Sequence, residues 1–278
     1  MVREQNGLKQ EEHMARKNIS RLGPPGDLVT RRLRVTDRFR SVNRRIANRI
    51  LASLPAEELN RLFPYLGRAR LHSGESICLP NRPVAFVYFP NSGMVSMIAT
   101  MRDGATVEVG IVGREGFVST SVLLGIPSIP IRAVVQIEGD AFTIQPILLR
   151  KLLPETPRLE SMLRYYANAY WNQVAQVAAC NRLHRVHERL ARWLLMSRDR
   201  TDSDLLPLTQ EFLAQMIGCR RSSVAAAMGA LEKTGLVRCG RGQVRIADRR
   251  ALEKAACECY GVIREFAKFL VRPSTAPR

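Results

Sequence analysis

Histidine is scarce, with four in 278 residues, and none sits in a glycine-rich motif. No G-x-x-x-x-G-K-[ST] phosphate cradle occurs either, so the chain offers no local beginning for nucleophilic or phosphoryl-transfer chemistry and reads as a non-enzyme. Long apolar runs are missing too. Nothing approaches the ~18 consecutive apolar residues of a membrane span, and Met1 to Pro25 has no apolar leader core, which predicts a cytoplasmic protein with no membrane partner. The six cysteines (Cys78, Cys180, Cys219, Cys239, Cys257, Cys259) form no dense framework, as in ordinary thiol usage of a reducing compartment. Acidic residues are the minority: 25 against 43 Lys and Arg, a net charge of +18.

That excess is segregated. Residues 1–49 hold 13 basic and 5 acidic residues, residues 50–181 hold 11 and 10, and residues 182–278 hold 19 and 10. A neutral body between cationic ends points to a polyanionic partner, since solubility alone does not require such asymmetry.

Residues 1–42 mix Gly, Pro and Arg with few large apolar side chains and read as a disordered basic arm. Residues 43–158 begin with Ile46, Ile50 and Leu51 on one helical face and a short helix from Ala56. Five apolar segments then alternate with turn signals: Ala85 to Phe89, Met94 to Thr100, Thr106 to Val112, Arg132 to Ile137 and Ala141 to Ile144. This is the pattern of a sandwich, jelly roll or small barrel. Over residues 159–198 helical periodicity returns without glycine. Leu159, Met162, Tyr166, Ala169, Gln173, Gln176, Cys180 and Leu183 step by three and four along one seam, which predicts a two-stranded coiled coil between protomers, the alternative being packing against the chain's own β domain. Residues 199–260 form a third unit and residues 261–278 a tail.

The third unit carries the sharpest pattern. Gln210 to Met216 reads as a short helix, Ile217-Gly218-Cys219 as a turn and Arg221 to Lys233 as a second helix. Ala214 stands where two helices touch, Gly218 where the turn wants a positive φ, and Leu213, Ile217, Val224, Met228 and Leu231 form an inner face. Opposite lie Arg220, Arg221, Ser222, Ala225, Ala226 and Gly229, with the cations at the end that a recognition helix points into the major groove. Leu236 to Cys239 and Gln243 to Ile246, joined through Gly240-Arg241-Gly242, read as a wing with Arg241 at its tip. Arg220, Arg221, Ser222, Ser223, Ala226, Arg241 and Gln243 are therefore the candidate DNA-binding residues.

The order of basic arm, β-roll, long helix and winged helix-turn-helix resembles the Crp/Fnr family of bacterial transcription regulators. The resemblance spans about residues 43–246 and is most specific over LTQEFLAQMIGCRRSSVAAAMGALEKTGLV and GRGQVRI. It implies an α+β fold acting as a homodimer on an inverted-repeat operator in double-stranded DNA, with RNA polymerase as a further partner and an effector held by the β-roll. Arg221 matches the family's guanine-reading arginine. Ser222 and Ala226 stand where the family has an acidic residue and a second arginine, so the half-site should differ from the family's usual one. In VGREGFVSTSVLLGIPSIPIRAVVQI the ribose-binding glutamate of cyclic-nucleotide sensors is replaced by Phe117 or Val118, and Ile131 takes the place of the phosphate-binding arginine unless the alignment shifts to Arg132. The effector pocket, drawn from Gly116, Phe117, Val118, Ser119, Thr120, Ile131 and Arg132, is thus expected to have lost cyclic-nucleotide binding. The alternatives are a regulator that uses Arg132 in a shifted pocket and a sequence-insensitive compaction protein.

No metal or cofactor is expected. With no cysteine before Cys78, the iron-sulfur arm of the family's oxygen sensors is missing. Cys180, His184 and Glu188 lie four apart on a helix, with His187 one turn from His184, but such residues more often pack helices or face solvent. Cys78 with His72 and the pair Cys257 and Cys259 read as incidental, the latter lacking partners.

Overall fold

The computed structural model describes residues 46–268. The predicted basic arm and residues 269–278 of the predicted tail lie outside the described residues.

Two short helices, α1 (Arg49–Ala52) and α2 (Ala56–Leu62), lead into seven strands: β1 (Gly67–Leu71), β2 (Ser76–Cys78), β3 (Val87–Pro90), β4 (Met94–Thr100), β5 (Thr106–Val112), β6 (Arg132–Ile137) and β7 (Gly139–Ile144). They form two antiparallel sheets, ordered β1-β7-β3 and β2-β6-β4-β5. Leu71, Val87, Phe89, Val95, Ile111, Val135 and Phe142 are each at most 2% exposed. Met94 to Ile98 of β4 is buried on both faces: Val95 pairs with Val112 and Val135 on one, while Ser96 and Ile111 pair on the other, which meets Trp193, as in a strand covered by sheet on one side and helix on the other. Asn48 is fully buried. It caps α1 by accepting from the Leu51 N–H, and its amide donates to the carbonyls of Pro90 and Gly116 at 2.9 and 2.8 Å, pinning the helix to the roll.

After α3 (Pro146–Leu152) comes the long helix α4 (Pro157–Leu183). The Glu58 carboxylate of α2 accepts from the Arg158 and Leu159 N–H groups, both at 2.9 Å. A negative group there satisfies two of the free donors of the helix start. The face from Leu159 through Met162, Tyr166, Ala169 and Gln173 to Cys180 is buried, and it packs on the chain's own β-roll, its preceding elements and the C-terminal helix. This corrects the expectation of an inter-protomer seam. An apolar stripe is satisfied equally by its own sheet or by a partner helix, and here the sheet takes it. Each large apolar side chain on it contributes about 1.5–3 kcal/mol. Gln176 is half-buried and Leu183 is 73% exposed, so neither belongs to that buried stripe.

The helix is also not continuous to residue 199. His184 and Arg185 are extended (φ −106°, ψ 152° and φ −70°, ψ 154°). A new helix, α5 (Val186–Thr201), follows, started by Glu188, whose carboxylate accepts from the Arg185 N–H at 2.8 Å. Next come β8 (Leu205–Leu206), α6 (Gln210–Ile217), α7 (Arg221–Lys233), β9 (Val237–Gly240), β10 (Gln243–Ile246), α8 (Arg249–Ala255) and α9 (Cys259–Lys268). The third sheet runs β8-β10-β9. The expected boundary at residue 260 falls inside α9, which packs on α4.

Candidate nucleic-acid interface

Thr209 opens α6 by accepting the Phe212 N–H at 3.2 Å, and Gly218 ends it at φ +65°. A Cβ at Gly218 would stand 2.9 Å from the Val107 side chain of β5, so only glycine makes this turn here without strain. Leu213, Ile217, Val224, Met228 and Leu231 are all buried, each at most 3% exposed, against α5. The predicted inner face is thereby observed, and it fixes which side of α7 looks outward. Arg220, Arg221, Ser222 and Ala226 are exposed there, with Ser223 half-buried. Arg221 lies 3.7 Å from Glu211, both side chains at least 70% exposed, a contact weak enough to be exchanged for a stronger anion.

The wing pairs Gln243 with Gly240 and Arg245 with Arg238. Arg238, Arg241, Gln243 and Arg245 are exposed. Like charges directly opposite each other on a two-stranded ribbon cost stability. The Arg238–Arg245 pair is therefore unexplained by the fold and matches an outside polyanion. The helix-turn-helix leans on the roll through Gln215 of α6, which donates to the Thr106 hydroxyl of β5 at 2.8 Å, and on α5 through Arg189, which donates to the Ile217 carbonyl.

Of the residues predicted for an effector pocket, Gly116, Phe117, Val118 and Ser119 are core residues. Phe117 and Val118 are at most 1% exposed and Ser119 is 3% exposed, held at φ +82°. The Phe117 ring lies 5.7 Å from Phe89 and 5.3 Å from Tyr166 of α4. Tyr166 covers Gly116 so closely that a Cβ there would come within 1.9 Å of its ring. Side chains of the chain itself fill this position. Thr120, Ile131 and Arg132 are half-buried.

Sequence reasoning missed a polar seam between the roll and α5. Glu108, a lone carboxylate in the apolar strand β5, is 6% exposed; it accepts from Ser96 at 2.5 Å and from the Trp193 indole at 2.7 Å. Burial pushes its carboxyl up to about 7, against the hydrogen bonds of Ser96 and Trp193 and the charges of Arg192 and Arg200. Beside it Arg200 pairs with Glu115 at 2.9 Å, both under 10% exposed, and Arg200 also donates to Gln173 of α4. The signal was present as an acidic residue inside an otherwise apolar strand.

The second correction concerns cysteine. Cys257 and Cys259 do have partners: Cys180 Sγ is 3.4 Å from Cys257 Sγ, and His184 Nδ1 is 3.5 Å from Cys259 Sγ. Glu188 is occupied as the cap of α5, while Cys78 is buried and His72 exposed.

A β-roll, a long helix and a winged helix-turn-helix with exposed arginines define the fold of a DNA-binding transcription regulator. Residues 188–255 match the Crp-like helix-turn-helix domain, so the chain carries a domain of that family. Solved structures share the fold over about 70% of the chain. The c-di-GMP responsive global regulator CLP of Xanthomonas campestris is 19% identical, with a TM-score of 0.59 over 70% of this chain and 100% of that one. FixK2 of Bradyrhizobium japonicum is 16% identical, with a TM-score of 0.58 over 69% and 98%. TTHB099, a CRP-family transcriptional regulator of Thermus thermophilus, is 21% identical, with a TM-score of 0.57 over 68% and 96%. Comparison with curated proteins finds no match. Among the described residues no helix is long and apolar enough to cross a membrane.

Proposed function

We propose that this chain is a sequence-specific transcription regulator that binds an inverted-repeat operator as a homodimer and does not respond to cyclic nucleotides. The observation that carries the DNA reading is the wing's cross-strand Arg238–Arg245 pair beside the exposed Arg220 and Arg221. Arg221 reads a base edge, Arg241 holds phosphate, and Ser222, Ser223, Ala226 and Gln243 complete the contact. RNA polymerase is the partner such a promoter-bound protein addresses.

The dimer reading moves to the outer face of α4. Asn168, Trp171, Ala175 and Ala178 are exposed at spacings of three and four, and Trp171 is 69% exposed. A tryptophan flanked by small residues suits close helix pairing about a twofold axis. Such an axis sets two recognition helices about 34 Å apart, one DNA turn. For the effector site, Phe117 supplies no carboxylate for a ribose and its ring takes up the space, so any effector of this roll differs in chemistry from a cyclic nucleotide.

Selection from a random-sequence DNA pool with the full chain tests the reading. A twofold-symmetric motif is expected. Sequence-insensitive binding would favour a compaction role and overturn it, as would a bound motif without symmetry.

A further inference from the structure

We propose that Cys180, His184, Cys257 and Cys259 form a closed four-coordinate site for one zinc ion, which clamps the start of α9 to the end of α4. The four side chains come from two places: Cys180 on the last turn of α4 with His184, the extended residue just past its end, and Cys257 and Cys259, which flank one residue at the entry to α9. Cys180 and Cys257 are 77 residues apart in sequence. One ligand atom from each residue lies within 4.8 Å of all the others. A tetrahedron with Zn–S bonds of about 2.3 Å has edges of ~3.8 Å. The 3.4 Å between Cys180 and Cys257 Sγ and the 3.5 Å between Cys259 Sγ and His184 Nδ1 are close to that edge.

The surroundings suit metal ligation. The three thiols are buried, at 0, 6 and 0% exposure for Cys180, Cys257 and Cys259. Gln176 Nε2 donates to Cys259 Sγ at 3.1 Å, and the far nitrogen of His184 lies 3.1 Å from the Glu258 carboxylate. That outer contact orients an imidazole so that Nδ1 faces the sulfurs, as carboxylates do behind metal-bound histidines. The hydrogen bond from Cys257, with Arg192 adding its charge, holds the Cys180 thiol below its ordinary range, toward the thiolate that a metal binds. Three sulfurs and one imidazole with no oxygen donor select zinc over magnesium or calcium, and four protein ligands leave no open position for catalysis. A simple disulfide between Cys180 and Cys257 would leave the convergence of Cys259 and His184 unaccounted for.

The test uses the full chain purified under reducing conditions without chelator, with metal content measured by mass spectrometry, and cobalt(II) replacing zinc in the wild type as a probe that needs no variant. About one zinc per chain is expected, with thiolate-to-cobalt charge-transfer bands and tetrahedral d–d bands in the substituted protein. The pair C257S/C259S should lose both, whereas C78S and C219S should keep both. E258Q should retain the cobalt spectrum with metal affinity lowered by about tenfold or more. The proposal is overturned if the fully reduced wild type takes up neither metal stoichiometrically or if the cobalt spectrum lacks thiolate bands. Bound iron with acid-labile sulfide, or a Cys180–Cys257 disulfide that resists the reductant, would overturn it too.

Discussion

Replacing Glu108 by Gln should make the protein more stable at alkaline pH and leave it little changed in acid. Burial holds this carboxyl at about 7 rather than at its ordinary 4.5. The folded state therefore binds the proton more tightly than the unfolded state. The sign follows: stability is greatest below pH 4.5 and is lost as pH rises through about 7. At 1.36 kcal/mol per pH unit, the loss from this one group amounts to about 3 kcal/mol. A glutamine can accept from the Trp193 indole and donate to the Ser96 hydroxyl, so the contacts at 2.7 and 2.5 Å have a neutral replacement. Other titrating groups are common to both proteins and cancel in the difference. Urea unfolding at about pH 5 and pH 8.5 should show the advantage of E108Q growing by about 2–3 kcal/mol. Trp193 gives a second readout, because the only other tryptophan is Trp171. In a W171F background its emission should titrate with a midpoint about 7, and E108Q should abolish the transition. A pH-independent stability difference together with flat Trp193 emission would refute the assignment.

Four further outcomes are expected. Arg221→Ala should cost about 1–3 kcal/mol on the selected site and relax preference at one base position; equal weakening on random DNA, measured by competition binding, would contradict base reading. Arg241→Ala should weaken all sequences alike and make the log–log salt slope shallower by about one unit. Trp171→Glu with Ala178→Glu should give a monomeric mass by light scattering at micromolar concentration, since paired helices would bury like charges, and an unchanged dimer would place the interface elsewhere. Calorimetric titration with cyclic AMP or cyclic GMP should show no binding, and micromolar binding abolished by Arg132→Ala would restore the shifted pocket.

Elements whose residues interact locally were legible in the sequence. The segments β4, β5 and β6 have their expected bounds, because runs of Val, Ile and Met end at strong turn residues such as Asp103-Gly104. The helix-turn-helix was legible for the same reason: its cap, its αL glycine and its inner face all lie within about one short segment. The strand β1 was not, since Arg68 and Arg70 interrupt its apolar pattern on a short, largely exposed strand. The break at His184–Arg185 contains neither Gly nor Pro, and its cue was Glu188, three residues ahead of the residue it caps. Which face of α4 meets the roll is decided by contacts such as Gln173 Nε2 to the Ile111 carbonyl at 3.0 Å, made across 62 residues of sequence, and periodicity carries no information about the identity of the covering surface. The cysteine cluster is long-range in the same sense.

These long-range contacts brace the two arms of the α4–α5 elbow. On the side of the roll, the Arg200–Glu115 pair and the Trp193–Glu108 bond tie α5 to β5 and its following loop, and the Gln173–Arg200 bond ties α5 to α4. On the side of α9, Cys180 and His184 meet Cys257 and Cys259. Arg200 and Glu115 are both nearly buried, and separating such a pair leaves an uncompensated charge at a cost of about 3–5 kcal/mol. Rotation of the DNA-reading unit about residues 184–185 must therefore break or exchange these contacts. A signal that turns the elbow has to supply differential free energy at this seam. Glu108, whose carboxyl burial holds at about 7, is a group within it whose charge changes near neutral pH.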